Sequence, residues 1–126
     1  MSGSRLSVYI VDDDEAVRDS MRLLLESSGF IARDFASADL FLHAETADMG
    51  CLLLDLHMPD ISGLDLLRLI RARGIRCPVI VVSGRRDPVQ DAEVLAAGAS
   101  ALLSKPFDDQ QLLDLVEQAL GDPKRR

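Results

Sequence analysis

With 126 residues, the chain has room for one compact domain with a hydrophobic core and none for a second. A hydrophobic fraction of 48% beside a formal net charge of −7 argues against disorder and for a soluble globular domain. The acidic balance, with a pI near 4.7, repels polyphosphate backbones and argues against direct nucleic-acid binding, and no apolar run is long enough to span a bilayer.

Leu6 to Val11 is a short β-branched apolar run that predicts a first strand, and it ends in Asp12, Asp13, Asp14 and Glu15. Val17, Met21, Leu24, Leu25 and Ser28 then recur at helical spacing, and Gly29 closes that helix as its C′ residue. Phe30 to Phe35 reads as a second strand, with Ser37 as N-cap of a short helix through about Ala44. Cys51 to Leu54 is apolar at every position, as expected of a strand covered on both faces, and Asp55 sits at its C-terminal end. Cys51 and Cys77 stand far apart with no CxxC or nearby histidine, so they read as buried small hydrophobes rather than zinc ligands or a disulfide. A loop with Pro59 and Gly63 leads to a helix bearing Leu64, Leu67 and Ile70, with Arg71 and Arg73 at its basic end and Gly74 as its stop. Pro78 to Val82 is another continuous apolar strand, followed by Ser83-Gly84 and by Asp87-Pro88, an N-cap with proline opening a helix through Ala97. Ala101 to Leu103 is a last short strand, and Asp108 with Gln111 forms a capping-box pattern before a helix carrying Leu112, Leu113, Val116 and Leu120.

Five strands alternating with five helices predict parallel pairing through right-handed crossovers, hence an open α/β sheet with helices on both faces. Ligand chemistry in such sheets gathers at the C-terminal strand ends. To that edge the strands deliver Asp12 and Asp13, then Asp55, Ser83 and Lys105. Carboxylates brought together repel one another unless a cation joins them, and an all-oxygen donor set suits Mg²⁺ with a phosphate oxygen. Ser83 offers a hydroxyl and Lys105 a compact positive charge, which complete a phosphoryl site. Taken singly, each residue has a plainer reading: the acidic run could complement a helix dipole, Asp55 and Ser83 could form turns, and Lys105 could lie on the surface. Their joint arrival at one sheet edge favours a site.

The segments VYIVDDDEAVR, LLLDLHMPDISG, VIVVSG and AGA…SKPF resemble the receiver domain of two-component response regulators over essentially the whole chain. The segment SSGFIARDFASADLFL further resembles the subgroup of the nitrogen-fixation regulator FixJ. The resemblance implies a doubly wound, flavodoxin-like (βα)5 fold with strand order 2-1-3-4-5. It implies Asp55 as phosphoacceptor, Asp12 and Asp13 as the metal-binding pair, and the backbone carbonyl of His57 as a further ligand to Mg²⁺. Ser83 takes the hydroxyl position, and Lys105 that of the lysine before a proline, commonly cis, here Pro106. Two residues past Asp55, the His57 side chain could overhang the phosphoryl site or simply face solvent as a loop residue. The family usually has Tyr or Phe three residues before the lysine, where this chain has Leu102. The expected switch therefore runs through Ser83 and the Gly84 to Asp87 loop, with Leu102 staying buried.

The expected partner is a sensor histidine kinase, and the expected module is a signalling switch that catalyses its own phosphorylation and dephosphorylation rather than an enzyme. A homodimer formed on phosphorylation, a cytoplasmic location, no membrane association and flexible tails at 1–5 and 122–126 complete the expectation. Output through a helix-turn-helix domain outside this chain competes with a stand-alone receiver that shuttles phosphoryl groups or binds a protein. An aspartyl phosphohydrolase is the rival from another class. Such enzymes commonly carry an acid two residues after the nucleophile, where this chain has His57, and they need a cap or substrate pocket for which 126 residues leave little space.

Overall fold

The computed structural model describes residues 6–121, so the tails expected at 1–5 and 122–126 lie outside the described residues. The elements run β1 (Ser7–Val11), α1 (Glu15–Ser27), β2 (Ile31–Phe35), α2 (Ala38–Leu42), β3 (Met49–Asp55), α3 (Gly63–Ala72), β4 (Val79–Ser83), α4 (Pro88–Ala96), β5 (Ala101–Ser104) and α5 (Asp109–Leu120). All pairings are parallel and the strand order is β2-β1-β3-β4-β5, the doubly wound sheet expected from the sequence.

The continuous apolar strands divide their side chains by parity, because successive residues of a strand point to opposite faces. Val8, Ile10, Cys51, Leu53, Ile80, Val82 and Leu103 pack with Met21 and Leu25 of α1 and with Leu112 and Val116 of α5. Tyr9, Val11, Leu52, Leu54, Val79 and Val81 pack with Ala38 and Phe41 of α2, Leu64 and Ile70 of α3, and Val94 of α4. Two cores on either side of one sheet hold β1, β3 and β4 completely buried.

Helix starts follow the polar residues. Asp14 caps α1 by accepting from Val17 N at 3.2 Å, Ser37 caps α2, Ser62 caps α3, Asp87 caps α4, and Asp108 with Gln111 forms the capping box of α5. At the far end of α3, the Arg71 guanidinium donates to the carbonyls of Ile75 (3.0 Å), Cys77 (2.8 Å) and Gly98 (2.7 Å), so it ties two loops together as well as complementing the helix dipole.

The structure differs from the sequence reading in a few places. β3 begins at Met49, two residues before the apolar run, and its register against β1 shifts across Gly50: Ser7 pairs with Met49 and Val8 with Cys51. A Cβ on Gly50 would lie 2.4 Å from Leu120 Cδ2 and 2.7 Å from Leu6 Cβ, so only glycine lets the chain pass there. The second helix ends at Leu42, with His43 as its cap. Cys51 is buried but Cys77 is only half-buried, in the connection before β4. Leu102 is also only half-buried, because β5 is an edge strand. Among the described residues no helix is long and apolar enough to cross a membrane.

Candidate functional site

The acidic run after β1 divides into two jobs. Asp14 and Glu15 start α1, whereas Asp12 and Asp13 stay at the sheet edge beside Asp55. One carboxylate oxygen from each of Asp12, Asp13 and Asp55 lies within 4.8 Å of the other two; Asp12 is 1% exposed and Asp55 5%, while Asp13 is exposed. Such a group of hard oxygen donors could hold a divalent cation of the Mg²⁺ type, with Asp13 open to solvent.

Lys105 closes the group from β5. Its Nζ donates to Asp12 Oδ2 at 3.1 Å and forms an ion pair with Asp55 Oδ1 at 3.5 Å. The Lys105–Pro106 peptide bond is cis. Asp12 Oδ1 also accepts from Asp14 N at 2.9 Å, and Asp55 Oδ1 accepts from His57 N at 3.3 Å. Burial, and then the charge of Asp12, push the Asp55 carboxyl up to about 6, against the opposing pull of Lys105 and the His57 N–H. Burial draws the Lys105 ammonium down, but Asp12 and Asp55 outweigh it and its net shift is upward.

Ser83 is buried at the end of β4, but its hydroxyl donates to the Arg85 carbonyl at 2.5 Å and accepts from Arg85 N at 3.1 Å. The hydroxyl is thus engaged within its own loop. Gly84 is exposed, with nothing within 4 Å of the position a Cβ would take. Asp55, His57, Gly84, Arg85 and Lys105 line an open cavity of 450 Å³ above the carboxylates. All five residues expected at the strand ends therefore arrive at one edge, with Pro106 beside Lys105 and Leu102 on the outer strand.

Several supporting residues escaped the sequence reading. Arg18 of α1 donates from Nη1 to the Asp12 carbonyl at 2.9 Å and from Nε to Asp34 at 3.1 Å, fixing the end of β1. Gly63, read only as a loop residue, brings the start of α3 against β3: its N–H donates to the Leu56 carbonyl at 2.8 Å, and a Cβ there would stand 2.5 Å from the Asp55 carbonyl. Arg85 lines the cavity and Arg86 follows it, bound to Asp91 and Ser104, and no spacing in the sequence marks either.

Sequence comparison gives the class of this fold and edge: the response regulator receiver domain matches residues 8–117, and the chain belongs to that family. It is similar to the transcriptional regulatory protein FixJ of Azorhizobium caulinodans, 44% identical over 117 residues that make up 92% of this chain and 56% of that protein. It is also similar to the transcriptional regulatory protein TdiR of Thauera aromatica, 39% identical over 95% of this chain and 53% of that protein. The chain thus spans about half the length of the curated relatives it matches. Among solved structures, a CheY-like receiver domain protein from Methanospirillum hungatei superposes with a TM-score of 0.87 at 29% identity, covering 97% of this chain and 98% of that one. A response regulator receiver protein from Pseudomonas putida superposes with a TM-score of 0.84 at 37% identity, covering 92% of this chain and 98% of that one. The FixJ-like assignment and the receiver fold expected from the motifs both stand.

Proposed function

We propose that this receiver domain accepts a phosphoryl group on Asp55 from a phosphohistidine of a sensor kinase and changes conformation in response. The observation that carries the reading is the buried Asp55 carboxylate, grouped with Asp12 and Asp13 and faced by Lys105 at 3.5 Å, beneath a cavity open to solvent. An Asp55 oxygen attacks phosphorus in line; the new oxygen–phosphorus bond forms as the phosphorus–nitrogen bond breaks, and the electron pair stays on the imidazole nitrogen. Asp12, Asp13, Asp55 and the His57 carbonyl would hold Mg²⁺, which when bound supplies charge neutralisation to the transferring group. Lys105 adds a fixed positive charge from the other side. Later attack by water on phosphorus releases phosphate and restores the carboxylate.

The Ser83 hydroxyl must leave the Arg85 carbonyl to reach a phosphoryl group on Asp55, so phosphorylation pulls on the loop that begins α4. The output surface is accordingly the face of α4 and β5, where Val89 and Leu95 are exposed and offer apolar area for a phosphorylation-dependent homodimer. An apolar groove of 510 Å³ between α1 and the segment Lys105 to Phe107 opens beside the site, which suits a helical partner presenting its phosphohistidine. The greater length of relatives named as transcriptional regulators favours a transcriptional output part outside this chain, of the helix-turn-helix kind, over a stand-alone shuttle.

Incubation with acetyl phosphate and Mg²⁺ should add one phosphoryl group per chain, read by intact-mass measurement, and Asp55→Asn should abolish it. Equal labelling of that variant would overturn the assignment.

A further inference from the structure

Two adjacent arginines after β4 are used in opposite ways. Arg86 is tied down: its Nε and Nη2 both reach Asp91 Oδ2 at 2.9 Å, and its Nη1 donates to Ser104 Oγ at 2.7 Å. Arg85 is held only by its backbone, whose carbonyl and N–H both engage Ser83. Its exposed side chain makes no hydrogen bond or ion pair among the described residues, although the chain carries 21 acidic residues against 14 basic ones. Arg73 and Arg76 are likewise exposed without an ion pair among the described residues, but neither lines the cavity over Asp55. Arg85 does line it, and there it and Lys105 supply the positive charge among the lining residues.

An anion entering this cavity meets the Asp55 carboxylate, with Asp12 and Asp13 grouped close to it, and the Lys105 ammonium is already shared between Asp12 and Asp55. A second cation without a protein partner, carried on the loop that Ser83 holds before transfer and that phosphorylation pulls on, is placed to take the anion and to move with it. Guanidinium binds phosphate oxygens in a two-pronged way that an ammonium cannot match. We propose that Arg85 is a binding residue for the phosphoryl oxygens of the donor, small acyl phosphates included, and remains in contact with them once they are on Asp55. This rests on Asp55 being the phosphoacceptor, as proposed above.

The test compares the parent chain with Arg85→Ala and Arg85→Lys at saturating Mg²⁺. Arg85 is exposed on a loop, so all three should show the same thermal melt. The concentration of acetyl phosphate giving half-maximal labelling of Asp55 should rise about three- to tenfold in Arg85→Ala, as expected for a partly solvated charge-assisted contact, with the maximal rate changed less than about twofold. The lysine variant should recover part of the loss, because it restores the charge. The apparent Kd for beryllium fluoride, which mimics the phosphoryl group without a leaving group, should rise by a similar factor in the alanine variant. Unchanged half-saturation and unchanged beryllium fluoride affinity, with Asp55 labelled normally in the parent, would overturn this inference and leave the phosphoacceptor reading intact. A fall in maximal rate alone would also overturn it, since that is the signature of a disturbed loop. Absence of labelling at Asp55 in the parent would overturn the phosphoacceptor reading, and this inference with it.

Discussion

The hydroxyl of Ser83 and the carbonyl of Arg85 are 2.5 Å apart, so the side chain at the end of β4 is committed to its own loop rather than to Asp55. A phosphoryl group has stronger acceptor oxygens than a peptide carbonyl, and the exchange should move the start of α4. In a structure with beryllium fluoride bound, Ser83 Oγ should have left Arg85, with the 84–87 backbone displaced and Leu102 in its present rotamer. A swing of Leu102 into the core beside an unmoved loop would contradict this route.

Repulsion among Asp12, Asp13 and Asp55 should make Asp13→Ala more stable than the parent when no divalent cation is added. Asp13 is exposed, so solvent screening holds the gain to roughly 0.2–1 kcal/mol. Mg²⁺ at about ten times its Kd should stabilise the parent by about 1.4 kcal/mol and reverse the order. Urea melts with and without Mg²⁺ test this; an alanine variant that is less stable in both would refute the repulsion argument.

The Asp55 carboxyl, pushed up to about 6 chiefly by burial and then by Asp12, implies a pH signature. An unfolded aspartate titrates near 3.9, so between about pH 4 and pH 6 the folded state binds more protons. The contribution of this group to stability is fully present below about 3.9 and is lost as the pH rises through about 6. Without divalent cations, the stability of Asp55→Asn relative to the parent should therefore grow between about pH 4 and pH 7, by at most about 3 kcal/mol. A difference that stays flat across this range would show that the carboxylate is not strained by its surroundings.

Gly63→Ala should cost about 1–3 kcal/mol, as expected for overpacking. The added methyl would meet the Asp55 carbonyl at 2.5 Å and Leu56 Cα at 2.8 Å, both backbone atoms with little room to move. Because the displaced peptide carries Asp55, labelling by acetyl phosphate should slow as well. A variant with parental melting and labelling would mean that α3 can shift away freely.

Much of this architecture is legible in the sequence because it rests on local rules. The unbroken apolar runs before Asp12, Asp55 and Ser83 are strands buried on both faces, and the polar residues after them must then share an edge. Caps at Ser37, Asp87 and Asp108 are read from residues a few positions apart. What the sequence hides is set by contacts between distant segments. Gly50 looks like a weak strand residue until Leu6 and Leu120 are seen on either side of it. The link from Arg86 to Ser104 spans 18 positions and follows no periodicity. The run Asp12 to Glu15 is ambiguous by composition, since helix capping and cation binding use the same side chain, and only the backbone path separates the two uses.

The parity that sorts the strand side chains into two cores continues to the strand ends, and it divides labour there. Asp55 extends the row of Cys51 and Leu53, on the side of α1 and α5, and Asp12 and Lys105 follow directly after β1 and β5. Ser83 extends the row of Val79 and Val81, on the side of α3 and α4. The sheet is a wall one residue thick, with the proposed phosphoacceptor on one side and the proposed responder on the other. A message needs to cross only the width of a peptide to change sides, and inserting a single residue into β4 would leave the responder facing the wrong way.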